Sequence, residues 1–400
     1  MDRRRFMKSG LMLGCSAAAS PLMTPVAFAQ GPWDNRLVVI ILRGAMDGVD
    51  VIRPLGDRDY AGLRPNLAVD DSLDLTDFYG LHPALSPLKA LWDNAEFGAM
   101  HAVSTPYRDK RSHFDGQDIL EAGLPDLPTG ARDGWLNRML QTVPGLTAQT
   151  SYAIGPEQLL VLSGDAPSAR WSPEARLRIS PHARRLLEVV HHDDPIFRDA
   201  SRQAITITDQ LLIDAADDAV AAEAASMDPM MADVGNGQHV ALAQFAAARL
   251  RGATRIASFS IGGWDTHQNQ QGQLTRALGQ LSDTILTLRS GLGDVWGKTA
   301  VLCMTEFGRT ARENGTKGTD HGTGGALLYA GGALRGGQVL GQWPGLSTGD
   351  LYAERDLMPL ADVRAAAGWT MQGLFGMNRD VIEDAVFPGL DMGPDVGMVL

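Results

Sequence analysis

Four short apolar runs, separated by segments of helical periodicity, constrain this chain more than any other feature. They are "RLVVIIL" (36–42), "EFGAMHAV" (96–103), "RIASFSI" (255–261) and "TAVLCMT" (299–305). Each is partly β-branched or aromatic and is bounded by turn residues, as expected of strands buried on both faces. Helical patterns lie between them. Residues 82–94 and 112–123 flank the second run, and 273–293 carries Leu274, Leu278, Leu281, Ile285 and Leu288 at helical spacing. Strands alternating with helices predict an α/β layered fold, with a largely parallel central sheet and helices on both faces. At 400 residues the chain is longer than most domains, yet such sheets reach this length around one core.

Two segments stand apart from that pattern. Residues 1–29 open with Arg3, Arg4 and Arg5, then Phe6, Met7 and Lys8, an apolar run, and small residues at Ala27 and Ala29. This is the pattern of a twin-arginine export signal, and its apolar run is too short to span a bilayer stably. Cleavage would leave residues 30–400 as one domain, with 31 basic and 46 acidic residues, a net charge of −15. The expected address is the periplasm or the exterior, reached through the twin-arginine machinery and with no membrane span in the mature chain. With no basic stripe to follow a phosphate backbone, a nucleic-acid partner is not expected. One cysteine, Cys303, would remain, which excludes an intramolecular disulfide. The second segment, about 182–250, is Ala-rich and helical, interrupted by "SMDPMMADVGNG". It reads as a helical insertion covering one face of the sheet.

In open α/β sheets ligands gather beyond the carboxyl ends of the strands. After the first run comes Asp47; after the second, Ser104 and then Ser112; after the third, Asp265 and His267; after the fourth, Glu306 and Arg309. Asp320 and His321 precede a further apolar stretch, "GALLYAGG". Asp265 and His267 are two apart, so in extended backbone they point to the same side and can share one cation. Carboxylates with imidazoles suit Zn²⁺ or Mn²⁺, and mostly oxygen ligation would suit Ca²⁺. A serine at a helix start has free amide N–H groups beside it that stabilise an oxyanion. Arg108, Arg111 or Arg309 could add positive charge for a phosphate or sulfate oxygen.

Each position also has a plainer explanation. Asp47 suits a turn, Ser112 is a good N-cap with Asp115 three residues on, and Asp320–His321 could cap a glycine turn. His101 reads as a hydrogen-bonded core histidine, His113 as at most a side chain standing behind the site's own groups, and Cys303 as packing. The convergence of all these groups at strand ends is what points to a site.

The segments "LRGAMDG", "PYRDKRSHFDGQDILEAG", "GGWDTHQNQ" and "TEFGRTARENGTKGTDHGTGGALLYAGG" resemble a family of exported bacterial proteins, domain of unknown function 1501. That family is grouped with the alkaline phosphatase and sulfatase superfamily, so the resemblance implies an alkaline phosphatase-like fold. It also implies that Asp47 stands at the first metal carboxylate and Ser112 at the nucleophile. Asp265 and His267 then resemble the metal pair, and His321 the last metal histidine. Glu306-Phe307 stands where those enzymes carry Asp-His, which removes one imidazole. "STPYR" (104–108) resembles the sulfatase maturation signal, making Ser104 a second candidate nucleophile.

The expected activity is therefore an exported, metal-dependent hydrolase acting on a small-molecule or envelope ester of phosphate or sulfate. Asp47, Asp265, His267, Glu306, Asp320 and His321 would hold the ion, Ser112 would attack, and Arg309 would meet substrate. The rival expectation is a non-catalytic scaffold that keeps the fold with a degenerate metal site.

Overall fold

The computed structural model describes residues 33–126, 133–172 and 237–400. The export segment at 1–29 and most of the insertion, 182–236, lie outside the described residues. Nine strands among those described form the main sheet: β1 (Arg36–Leu42), β2 (Phe97–Ser104), β3 (Ser151–Ile154), β4 (Ala169–Trp171), β5 (Ile256–Ile261), β6 (Thr299–Met304), β7 (Gly325–Ala330), β8 (Val339–Leu340) and β9 (Ala361–Asp362). Their spatial order is β8-β2-β7-β6-β1-β5-β3-β4, with β9 also paired to β2. Every pairing is parallel except those of β7, which runs antiparallel to both β2 and β6. The fold is thus α/β with a mostly parallel sheet, as the alternation of patterns predicts.

β1 lies at the centre, with Leu37–Leu42 in register with Ile256–Ile261 and Arg36–Ile41 with Thr299–Met304. All seven of its residues are buried. Alternate side chains serve opposite faces, as the two-residue period of a strand requires. Val38, Ile40 and Leu42 pack against Leu242 and Phe245 of α3 (Gln238–Arg251) and Leu274 and Leu281 of α4 (Gln270–Leu292). Leu37, Val39 and Ile41 pack toward Leu120 of α1 (His113–Ala122), Leu136 of α2 (Trp135–Gln141) and Met371 of α5 (Val363–Phe375). Helices on both faces leave the carboxyl edge of the sheet open to loops.

Local chemistry sets the ends of α1. The Ser112 hydroxyl accepts from Asp115 N–H at 3.3 Å, and Gly123, at φ 66°, closes the helix in the left-handed region. The pattern over 82–94 resolves instead into a 3₁₀ segment, Pro83–Leu88, followed by a short α-helix, Lys89–Asp93. Pro87 removes an amide donor there, so a single regular helix cannot form.

Because β1, β2, β5 and β6 are parallel, the segments 43–47, 105–113, 262–267 and 305–309 all leave the sheet at one edge. β7 starts from that same edge because it is reversed, which brings 318–324 into the group.

Candidate metal centre

The segment after β6 and the segment before β7 lie side by side as two backbones in contact. Gly308 N–H donates to Thr323 O at 3.0 Å and Gly322 N–H to Gly308 O at 2.8 Å, and Arg309 pairs with His321 as an isolated antiparallel bridge. A Cβ on Gly308 would stand 1.9 Å from Gly324 O, so only glycine permits the approach. Thr319 N–H meanwhile donates to Thr266 O at 3.1 Å, which seats Asp320–His321 beside Asp265–His267. The glycines of this stretch thus draw two acid–imidazole pairs together.

Asp265 is the centre of the resulting cluster. Its Oδ1 lies 3.2 Å from His267 Nε2 and 3.4 Å from His321 Nε2, and its Oδ2 lies 3.4 Å from His113 Nε2. Atoms of His113, Asp265 and His321 all fall within 4.8 Å of one another, a spacing suited to one shared ion. Each imidazole has its other nitrogen anchored. His113 Nδ1 is 2.8 Å from Glu306 Oε1, His267 Nδ1 is 3.0 Å from Asp320 Oδ1, and His321 Nδ1 is 3.0 Å from the Arg111 carbonyl. Carboxylates and carbonyls only accept, so these partners place the proton on Nδ1 of each neutral ring. All three Nε2 lone pairs then face the Asp265 carboxylate. His267 Nε2 and His321 Nε2 are 2.9 Å apart, and two lone pairs at that distance repel unless a proton or a cation lies between them. His113 Nε2 is buried without a hydrogen bond. This is the arrangement of metal-bound histidines, whose outer nitrogens are held by carboxylates or carbonyls. The donor set fits a cation.

Charge supports the geometry. Burial raises the Glu306 carboxyl, but hydrogen bonds from His113, Gln117 and the Gly44 amide outweigh it and hold the group below its ordinary range. The hydrogen bond to Glu306 in turn raises His113. Burial also raises Asp265, yet Arg309, donating to Oδ1 at 2.6 Å, brings it below its usual value. His321 is lowered, chiefly by burial and also by the positive charge of Arg309, which favours the neutral ring a metal needs.

The structure brings together Asp265, His267 and His321 of the residues expected from sequence. Glu306 and Asp320 act one step behind, as anchors of His113 and His267. Asp47 stands apart from this cluster. Its carboxylate is buried and paired with Arg64 through contacts of 2.6 and 3.1 Å, and Gln270 donates to it at 2.6 Å. Those donors occupy the oxygens a cation would need. Arg309 is 1% exposed, and its guanidinium donates to the carbonyls of Gly44, Ala45, Trp264 and Thr319 as well as to Asp265. It braces loops and does not reach solvent. Ser104 is buried, donating to Thr105 O and accepting from Arg108, which does not suit a nucleophile. Ser112 stands at the cap of α1, one residue before His113.

In the sequence His113 carries little signal of its own, because the capping serine before it explains that helix start by itself. Its signal was Gln117, four residues on, since both side chains meet Glu306 from one face of α1. Phe307 also packs here. Its ring stacks on His113, with centroids 5.2 Å apart at 22°, and lies 5.2 Å from the ring of His321.

Comparison with known proteins gives a family and distant structural neighbours. The model of a family described as protein of unknown function (DUF1501) matches residues 89–386. No curated protein matches. A crystal structure described as a protein in the alkaline phosphatase superfamily, from Vibrio parahaemolyticus, is similar at 12% identity and a TM-score of 0.34, covering 82% of this chain and 69% of that one. A second, described as Ps i-CgsB, is similar at 8% identity and a TM-score of 0.35, covering 77% and 68%. At these scores the neighbours add nothing to what the sheet's own topology states.

Proposed function

The chain belongs to the DUF1501 family of proteins of unknown function, and from that premise we propose that it is an exported metal-dependent hydrolase of phosphate or sulfate esters. The observation that carries this reading is the convergence of His113, His267 and His321 on the Asp265 carboxylate, each ring anchored through Nδ1. Two imidazoles and a carboxylate within one ion's reach, with His267 beside them, suit Zn²⁺ or a related first-row ion such as Mn²⁺, whereas Ca²⁺ prefers six or more oxygens. A bound divalent ion would supply Lewis acidity toward an ester oxygen. The ester class comes from the sequence resemblance to alkaline phosphatases and sulfatases, and export from Arg3–Arg5 and the segment after them.

The chain's own residues divide the remaining work. Glu306 and Asp320 fix the tautomer of His113 and His267 and keep their Nε2 atoms directed inward. Arg309 balances the charge of Asp265 and ties four loop carbonyls into one frame. Arg111 is exposed and its carbonyl holds His321, so it is the arginine left to meet anionic ester oxygens. Ser112, at the start of α1 beside His113, is the proposed nucleophile, with helix amides to stabilise developing charge.

The test is hydrolysis of 4-nitrophenyl phosphate and 4-nitrophenyl sulfate by mature protein loaded with Zn²⁺ or Mn²⁺, alongside Asp265→Asn and Ser112→Ala. Hydrolysis abolished by Asp265→Asn supports the metal reading. Full activity in Ser112→Ala would remove the serine from the mechanism, and protein that retains no metal would favour a scaffold.

A further inference from the structure

The backbones that carry Asp265–His267 and Asp320–His321 meet at the Thr319 N–H to Thr266 O bond, and a buried side chain grips both from behind. That side chain is Gln270, the first residue of α4. Its Oε1 accepts from the Thr266 hydroxyl at 2.9 Å and from the Thr319 hydroxyl at 2.6 Å. Its Nε2 donates to Asp47 Oδ2 at 2.6 Å and to Asp50 Oδ2 at 2.9 Å. Both amide hydrogens and both oxygen lone pairs are therefore in use. Carboxylates only accept, so the NH₂ group must face Asp47 and Asp50 and the oxygen must face the threonines. Turning the amide over would set its oxygen against two carboxylates.

Thr266 lies between Asp265 and His267, and Thr319 directly precedes Asp320. Both threonines are buried, so neither hydroxyl has water as an alternative partner. With both donors on one oxygen, the two hydroxyls stand no further than 5.5 Å apart. The helix start is tied to the same loop through its backbone: Asn269 N–H donates to Thr316 O at 3.1 Å and Gln270 N–H to Lys317 O at 2.9 Å. Behind Gln270, Leu274, Leu278 and Leu281 of α4 are packed in the core, so the amide is held by a rigid element.

We propose that Gln270 is a positioning residue of the metal centre, whose amide oxygen sets the spacing of the two acid–imidazole pairs through the hydroxyls of Thr266 and Thr319. It acts without touching the ion, since all its polar atoms are engaged elsewhere. The inference rests on the metal reading above. Asp47 and Asp50 each hold one amide hydrogen, so loss of charge at Asp47 leaves the amide oriented by Asp50. Residues that orient ligands in this way tune metal affinity although they supply no donor atom.

The experiment compares the mature protein with Thr319→Val, Thr319→Ser and Gln270→Leu. Valine keeps the shape of threonine without its hydroxyl, and serine keeps the hydroxyl. Zn²⁺ affinity is read by competition with a chelator, and ligand geometry by the visible absorption of Co²⁺-loaded protein. Expected in Thr319→Val are an affinity loss of about tenfold and a shifted Co²⁺ spectrum, with both restored in Thr319→Ser. Gln270→Leu should lose at least as much, and adding Thr319→Val to it should lose no more, because the two act as one unit. Unchanged circular dichroism shows that a variant folds, and a merely destabilised protein would keep the parental Co²⁺ spectrum. Parental affinity and spectrum in Thr319→Val, or a Thr319→Ser as defective as the valine variant, overturns the proposal. If Gln270→Leu does not fold, the Thr319 pair decides. An unaltered protein that takes up neither ion would strike the metal reading, and imidazole NMR of the metal-free chain then decides. The His267 and His321 signals should move in Thr319→Val and return in Thr319→Ser, and signals that stay in place overturn the proposal.

Discussion

Replacing Asp47 with Asn separates the two roles that a carboxylate after β1 could have. In the structure Asp47 is 1% exposed and Arg64 is fully buried. The guanidinium contacts both Asp47 oxygens and donates to the carbonyls of Thr310 and Ala311, so it cannot swing out to water. An Asn amide would turn an NH₂ group toward the donors of Arg64 or Gln270 and leave the cation uncompensated. Removing one partner of such a pair costs about 3–5 kcal/mol. Arg64→Met should cost less, because an unpaired buried carboxyl neutralises by taking a proton. The double variant Asp47→Asn/Arg64→Met should be at least about 2 kcal/mol more stable than the sum of the two single losses predicts. Urea unfolding followed by tryptophan fluorescence measures all three, and elemental analysis of each variant that folds measures its metal. The expected result is a large stability loss with metal content intact. An Asp47→Asn protein within about 1 kcal/mol of the parent that has lost its metal would refute the reasoning and return Asp47 to the ligand set.

Glu306→Gln should weaken metal affinity about 10- to 100-fold, read by competition with a chelator, because the amide no longer fixes His113 as the anion does. Gly308→Ala should destabilise the protein by about 3 kcal/mol or prevent folding, since its Cβ would meet a backbone oxygen that cannot move aside. Burial pulls His101 down to about 4, so the folded chain stays neutral there while the unfolded chain takes a proton near 6.5. Stability from this residue is therefore complete above pH 6.5 and falls by about 3 kcal/mol as the pH drops to 4. Urea unfolding at pH 7 and pH 4.5 should show a steeper loss in the parent than in His101→Leu, and equal losses would contradict it.

Much of the scaffold was legible because its strands are unbroken apolar runs. The run at 36–42 is β1 residue for residue, and the runs before Asp265 and Glu306 are β5 and β6 to within a residue. The Asp265–His267 spacing places the two side chains side by side, with His267 Nε2 3.2 Å from Asp265 Oδ1. The reversal of β7 was not legible, because a strand buried on both faces has the same composition in either direction. The pairing of Asp47 was hidden for a different reason. Arg64 lies in a short helical turn region 17 residues away and is brought to Asp47 by tertiary packing, which leaves no local pattern. Glu306 and Asp320 show the same limit from the other side: composition marks them as ligand types, but only geometry shows that imidazoles stand between them and the cluster.

X-ray absorption at the edge of the metal bound by Zn²⁺- or Mn²⁺-reconstituted protein tests the central claim most directly, because it counts imidazoles around the ion. The grouping of His113, Asp265 and His321 predicts the scattering of at least two imidazoles with oxygen completing the shell. A protein that takes up no ion, or a spectrum with one imidazole or none, would contradict it.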